Sequence, residues 1–125
     1  MAENTHVVLV EDDPFLSDLA SSRIQSAGFK LTHFAAADDA LEKLEEVKPD
    51  IILLDLILPG MGGFEFLEAV KKDEKFKNIP VVIISNLGSK EEIEKGMQLG
   101  ATSYLVKSNT MPDDIINKVK EVVGQ

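Results

Sequence analysis

Three carboxylates stand in a row at Glu11-Asp12-Asp13, directly after the apolar run Val7-Val8-Leu9-Val10. A fourth, Asp55, follows a second apolar run, Ile51-Ile52-Leu53-Leu54, and an amine, Lys107, follows a third, Tyr104-Leu105-Val106. Ser85 closes the run Val81-Val82-Ile83-Ile84 in the same way. Like charges gathered at one point repel unless a cation compensates them. Strands that deliver several carboxylates and one amine to a common end therefore suggest a hard divalent cation and a phosphoryl group. Oxygen-only donors favour Mg²⁺ or Mn²⁺, which hold octahedral geometry and keep several waters. With the repulsion lowered in this way, Asp55 can act as a nucleophile and form an acyl phosphate. Lys107 would pair with a phosphoryl oxygen as a mobile point charge, and Ser85 would give its hydroxyl to another. By analogy with phosphoserine, the added group brings roughly −1.5 to −2 charge and three strong acceptors, enough to draw a hydroxyl and its loop inward.

Five apolar runs, at 7–10, 31–34, 51–54, 81–84 and 104–106, alternate with five amphipathic stretches. At least three of the runs are apolar nearly throughout and rich in Val and Ile, the pattern of strands buried on both faces of a parallel sheet. In the first helical stretch Leu16, Ala20, Ile24 and Ala27 share a face, and Gly28 stops it. Asp13-Pro14 supplies a cap followed by a proline in the first turn, so Asp13 reads as a cap and not a ligand. The second stretch buries Ala40, Leu41, Leu44 and Val47 and ends at Pro49. The third begins after Gly62-Gly63 and buries Phe64, Leu67 and Val70. A capping box, Ser89-Lys90-Glu91-Glu92, opens the fourth, which buries Ile93 and Met97. The fifth opens near Thr110 and buries Ile115, Val119 and Val122. This βαβαβαβαβα order with right-handed crossovers predicts a doubly wound α/β fold: a five-stranded parallel sheet with five helices, one domain over residues 1–125. Ligands of such sheets bind beyond the carboxyl ends of the strands, at the topological switch point. Glu11, Asp12, Asp55, Ser85 and Lys107 all fall there.

Composition narrows the classes. The chain has 44% hydrophobic and 28% charged residues, an ordinary globular balance. A net charge of −9, with Lys and Arg scattered and not striped, speaks against direct nucleic-acid binding. The lack of cysteine excludes disulfides and thiolate metal sites and fits a reducing compartment. No apolar run approaches the roughly 18 residues of a membrane span. Met1-Ala2-Glu3-Asn4-Thr5 has no basic region followed by an apolar one and does not read as a signal peptide. A cytoplasmic protein with no membrane contact is expected.

Four motifs carry a family resemblance: Val10-Glu11-Asp12-Asp13-Pro14, Leu54-Asp55-Leu56-Ile57-Leu58-Pro59-Gly60-Met61-Gly62-Gly63, Ile84-Ser85 and Gly100-Ala101-Thr102-Ser103-Tyr104-Leu105-Val106-Lys107. Each is weak alone. In this order, with 30 residues from Asp55 to Ser85 and 52 from Asp55 to Lys107, they make the chain resemble a response-regulator receiver domain with a CheY-like, flavodoxin-like fold, from about His6 to Val123. The resemblance implies that Asp55 is the phosphoacceptor. Asp12, Asp55 and the backbone carbonyl of Ile57 would be direct metal ligands, and Glu11 would reach the metal through water. Ser85 takes the family's hydroxyl position and Tyr104 its aromatic switch position. The implied reaction is phosphotransfer from a sensor histidine kinase, or a histidine phosphotransfer protein, to Asp55 in a two-component system. Ser85 would then move toward the phosphoryl group and Tyr104 would turn inward. The face made by the fourth helix, fifth strand and fifth helix would change for a downstream protein. Such a chain is not an enzyme acting on others; it catalyses only its own phosphorylation and dephosphorylation. A monomer is expected, with dimerisation on phosphorylation left open. Both a stand-alone regulator and a piece of a longer protein remain open.

Four positions depart from the family pattern, of which Gly62, in place of a more usual polar loop residue, carries no expectation. Ser108 follows Lys107 where proline is usual, often through a cis bond; cis before a non-proline residue costs roughly 2.5–4 kcal/mol, so a trans bond is expected. Asn86 stands where a small residue is usual and would crowd or hydrogen-bond the phosphoryl pocket. Ile57 is apolar where a polar residue is common. Together with Leu87 it is expected to screen the acyl phosphate from water and slow self-dephosphorylation. His6 and His33 read as surface residues beside strands, not as phosphorelay histidines.

Other classes fit less well. An aspartyl-nucleophile phosphohydrolase needs a second acid two residues beyond the nucleophile, where Ile57 stands. A flavin or dinucleotide carrier needs Gly-x-Gly-x-x-Gly after the first strand, where three acids would repel a pyrophosphate. A receiver-like scaffold that no longer takes phosphate is disfavoured by the full acidic set with Lys107, although Asn86 and Ser108 keep it open.

Overall fold

A strand with no polar position must be covered on both faces, and the chain meets that demand with two helical layers. The computed structural model describes residues 5–124. Residues 1–4, most of the segment read above as carrying no leader, and Gln125 lie outside the described residues. One parallel sheet holds β1 His6–Val10, β2 Lys30–Phe34, β3 Ile51–Leu54, β4 Val81–Ser85 and β5 Ser103–Val106, in the spatial order β2-β1-β3-β4-β5. Between and after the strands run α1 Pro14–Ser26, α2 Ala37–Val47, α3 Gly63–Lys72, α4 Lys90–Gln98 and α5 Pro112–Val123. This is the CheY-like doubly wound architecture. Val8, Val10, Ile52, Leu54, Val81 and Ile83 point to one face, against Leu44 of α2 and Phe66, Leu67 and Val70 of α3. Val7, Leu9, Ile51, Leu53, Val82 and Ile84 point to the other, against Ile24 of α1 and Ile116 and Val119 of α5. Among the described residues no helix is long and apolar enough to cross a membrane.

The expected local signals operate. Asp13 caps α1 by accepting from the N–H groups of Phe15 and Leu16, and Gly28 adopts a φ of +98° just beyond its end. Ser89 and Glu92 form the reciprocal box at the start of α4.

Five inward-facing assignments and one helix start are corrected. In α1, Ile24 is fully buried but Leu16 remains 36% exposed. In α3, Phe66 fills the core; Phe64 is half-buried, with the Lys95 ammonium 4.5 Å from its ring centroid. In α4, Met97 is 44% exposed and Gly96 faces the sheet, because Ile83 and the Tyr104 ring already occupy the space beneath the helix. The last helix starts at Pro112 and not near Thr110, since Lys107–Asn109 forms a 3₁₀ turn closed by the Thr110 N–H on the Lys107 carbonyl. It buries Ile116 and Val119, leaving Ile115 and Val122 half-buried.

Gly63 brings α3 against the residues that follow β3. A Cβ there would stand 2.5 Å from Leu56 Cα and 2.6 Å from the Asp55 carbonyl oxygen, both backbone atoms that cannot rotate away. Gly63→Ala is therefore expected to destabilise the fold by about 2 kcal/mol, as overpacking does. A urea midpoint lowered with unchanged slope checks this; a parental midpoint would refute it.

Candidate functional site

Strand register assembles the site. Val10 lies opposite Leu54 in the β1–β3 pair, so the next residues, Glu11 and Asp55, emerge side by side at the sheet's carboxyl edge. The Asp55 N–H donates to the Val10 carbonyl at 3.0 Å, and the Glu11 N–H to the Phe34 carbonyl at 3.0 Å. From this point the chain leaves β1 toward β2 on one side, while β3 and β4 lie on the other. That is the switch point at which such sheets form a crevice.

Glu11 and Asp55 are buried there, and Asp12 is exposed at the rim. Carboxylate oxygens of the three lie within 4.8 Å of one another. Lys107, arriving from β5, sets its Nζ 2.7 Å from Glu11 Oε1 and 3.1 Å from Asp55 Oδ2. Asp55 Oδ1 accepts from the Ile57 N–H at 3.3 Å, and Glu11 Oε2 from the Asp13 N–H at 3.2 Å. Burial pushes the Glu11 carboxyl above its ordinary value, more than its hydrogen bond from Lys107 pulls it down. Burial pulls the Lys107 amine down, but its bonds to Glu11 and Asp55 outweigh this and hold it above its usual value. Three hard oxygen donors, close together and met by a single ammonium, fit a small divalent cation such as Mg²⁺ or Mn²⁺.

Ser85, at the end of β4, is fully buried and accepts from the Leu87 N–H at 3.2 Å. Tyr104 lies on β5 with its ring beneath α4, and its hydroxyl donates to the Leu87 carbonyl. Burial first, then the Glu92 carboxylate, push its phenol above the usual value, against a hydrogen bond with Ser85. Ile57 is 55% exposed beside Asp55, whereas Leu87 is half-buried and packs against the core. Asn86 is exposed at the wall of a groove next to the acids. No cis peptide occurs among the described residues, so the Lys107-Ser108 bond is trans, as expected.

Two features were not anticipated. His33 is exposed on β2, as read, but its Nε2 also donates to the Glu11 carbonyl at 2.6 Å. Strand alternation alone could not reveal a contact with a residue 22 positions away. A largely apolar groove of about 440 Å³ also runs from Asp55 and Lys107 between α1 and α5, walled by Leu16, Leu19, Pro112 and Ile115. Its signal was present in the sequence: Leu19, which lines the groove, is an apolar residue of α1 beyond those its buried stripe requires.

A doubly wound sheet whose acids, hydroxyl and lysine converge on one edge defines the receiver class, and comparison with known proteins agrees. Residues 7–120 match the family model described as response regulator receiver domain. The chain is 30% identical over 117 residues to the phosphate regulon transcriptional regulatory protein PhoB of Escherichia coli (strain K12), covering 94% of this chain and 51% of that protein. It is 32% identical over 124 residues to the transcriptional regulatory protein BaeR of Escherichia coli O6:H1, covering 97% of this chain and 49% of that protein. The chain thus spans about half the length of the curated relatives it matches. Among solved structures, chemotaxis protein CheY4 of Vibrio cholerae superposes with a TM-score of 0.87 at 30% identity, over 94% of this chain and 98% of that one. The BeF3-activated receiver domain of Klebsiella pneumoniae RstA does so with a TM-score of 0.88 at 26% identity, over 97% and 100%. The chain belongs to the response-regulator receiver family of two-component systems.

Proposed function

We propose that this chain is a phosphorylatable switch. Asp55 takes a phosphoryl group from the phosphohistidine of a sensor histidine kinase or histidine phosphotransfer protein, in a reaction that needs Mg²⁺ or Mn²⁺. The observation that carries this reading is the meeting of Glu11, Asp12 and Asp55 oxygens within 4.8 Å, with Lys107 bridging two of them.

An Asp55 carboxylate oxygen forms the new P–O bond as the P–N bond of the phosphohistidine breaks, and the departing imidazole takes up one proton. Asp12, Asp55 and the Ile57 backbone carbonyl would hold the cation directly, and Glu11 through water. Bound Mg²⁺ supplies positive charge against the phosphoryl oxygens. Lys107 exchanges its contact with Asp55 for one phosphoryl oxygen. Ser85 offers a second oxygen its hydroxyl proton, exchanging its hydrogen bond with Tyr104 for the phosphoryl group while still accepting from the Leu87 N–H. Ser85 and Tyr104 both hold the main chain of Leu87, one at its N–H and the other at its carbonyl. A pull on Ser85 is thereby transmitted to the Tyr104 ring. The phosphoryl group would favour the ring's inward position and bias the face of α4, β5 and α5 toward a downstream protein. In this reading residues 1–125 form one receiver unit that catalyses only its own phosphorylation and dephosphorylation, cytoplasmic and without nucleic-acid contacts of its own, monomeric before phosphorylation with dimerisation on phosphorylation left open. Incubation with a small phosphodonor, with and without Mg²⁺, followed by intact mass, tests the reading. One phosphoryl group gained only with Mg²⁺ is expected, and no gain under any condition would sink it.

Ile57 shields the acyl phosphate from solvent. Ile57→Asn, alone or with Leu87→Gln, is expected to shorten phosphoryl lifetime several-fold by admitting an ordered water. The decay of the added mass with time measures it, and a parental decay would show that neither side chain is a screen.

A further inference from the structure

Helix α4 contains a residue that its own stability does not explain. Gly96 lies inside the helix, where glycine is unfavourable relative to alanine, and it is the helix's buried position. A Cβ at Gly96 would lie 2.7 Å from Ile83 Cδ1, and 3.2 and 3.3 Å from Tyr104 Cδ2 and Cε2. Ile83 Cδ1 and the Tyr104 ring together thus crowd the volume that a side chain at 96 would fill. With the ring in that place, its hydroxyl reaches the Leu87 carbonyl in the loop between β4 and α4, whose N–H in turn holds Ser85. Gly96, Tyr104, Leu87 and Ser85 form one continuous chain of contacts from the α4 surface to the strand end beside Asp55.

We infer that Gly96 is a positioning residue for Tyr104: its missing side chain is the slot that holds the ring inward beneath α4, so residue 96 sets the balance between ring-in and ring-out arrangements. The consequence for signalling rests on the function proposed above; the slot itself does not. A methyl group at 96 displaces the ring toward solvent, removes the donor from the Leu87 carbonyl and loosens the loop that positions the Ser85 hydroxyl.

Tyr104 is the chain's one tyrosine and there is no tryptophan, so tyrosine fluorescence reports this ring alone. Acrylamide is uncharged, so its access is indifferent to the chain's net charge. In Gly96→Ala the quenching slope is expected to shift from that of a half-buried ring toward that of free tyrosine. Ile83→Val removes Cδ1 and relieves the shortest contact, so Gly96→Ala on that background keeps only the collision with the ring. Quenching should rise in Gly96→Ala on either background and stay parental in Ile83→Val alone. The alkaline titration of the phenol should move to lower pH in step, as burial is lost. Parental quenching in Gly96→Ala, or equal quenching in Ile83→Val alone, would overturn the inference. So would loss of far-UV circular dichroism in the double variant, because alanine is the better helix former and a ring in a slot would yield before the fold did. No phosphoryl donor is present in these measurements. They can therefore fail while Asp55 labels normally, or succeed while it does not.

Discussion

Asp55→Asn is expected to take phosphoryl labelling from complete to none while leaving the fold intact. The amide is no nucleophile at phosphorus, and the variant also loses one of three clustered carboxylates. Stability should change little: the amide oxygen can still accept from the Ile57 N–H, now 3.3 Å from Asp55 Oδ1, but the amide NH2 then stands where Oδ2 now accepts from Lys107 at 3.1 Å, so that contact is given up. Lys107 keeps Glu11 at 2.7 Å. Half of an ion pair is lost, but so is repulsion between adjacent buried acids, and the two changes oppose each other. The net effect should stay within about 1 kcal/mol. Intact mass after incubation with a small phosphodonor and Mg²⁺, beside a urea midpoint, checks both halves. Equal labelling of parent and variant would move the acceptor to another acid.

Lys107→Met is expected to be the most destabilising change at the site when Mg²⁺ is withheld. It leaves the side chains of Glu11 and Asp55, 7% and 6% exposed, without their shared cation. Removing one partner of a buried pair costs about 3–5 kcal/mol; since Lys107 is still partly open to water, about 3 kcal/mol is the expected loss. Mg²⁺ should restore most of it by binding the freed carboxylates, and it should stabilise the parent less, because Lys107 competes for the same oxygens. The pH dependence has a definite sign. In the parent, Lys107 is held above its ordinary 10.5, so its contribution is whole below that value and is lost as pH rises through the higher folded value. Glu11 has the same sign in a lower pH range. Its folded carboxyl lies above the ordinary 4.5, so stability falls as pH rises from there through the folded value. Without the ammonium Glu11 is pushed further up, and the variant's deficit should be widest at neutral pH and shrink in mild acid. Urea midpoints at the two pH values, with and without Mg²⁺, decide it. A deficit unchanged by both acid and Mg²⁺ would mean that Lys107 serves packing and not charge.

Strand positions and helix caps were legible because their causes are local. A wholly apolar run such as Ile51-Ile52-Leu53-Leu54 has to lie between two layers, and Asp13-Pro14 or Ser89 with Glu92 satisfies N–H groups within one turn. Inward-facing residues were less legible. Over nine to thirteen residues the helical stripe can turn by one position without offending the pattern, and the neighbouring element chooses. Tyr104 and Ile83 made that choice for α4, turning Gly96 inward and Met97 outward.

The chain's residue order by itself determined which groups would gather: two adjacent acids, a third acid, a hydroxyl and an amine, each at the end of a strand. Parallel strands joined by right-handed crossovers present all their carboxyl ends along one edge, so position at a strand end is enough to bring such groups together. Only the tertiary structure decided that Lys107 bridges Glu11 as well as Asp55, across 96 positions of chain, and that Ser85 and Tyr104 both hold Leu87. Those contacts depend on the register between strands and on the volumes left beneath the helices, which no local stretch of sequence encodes.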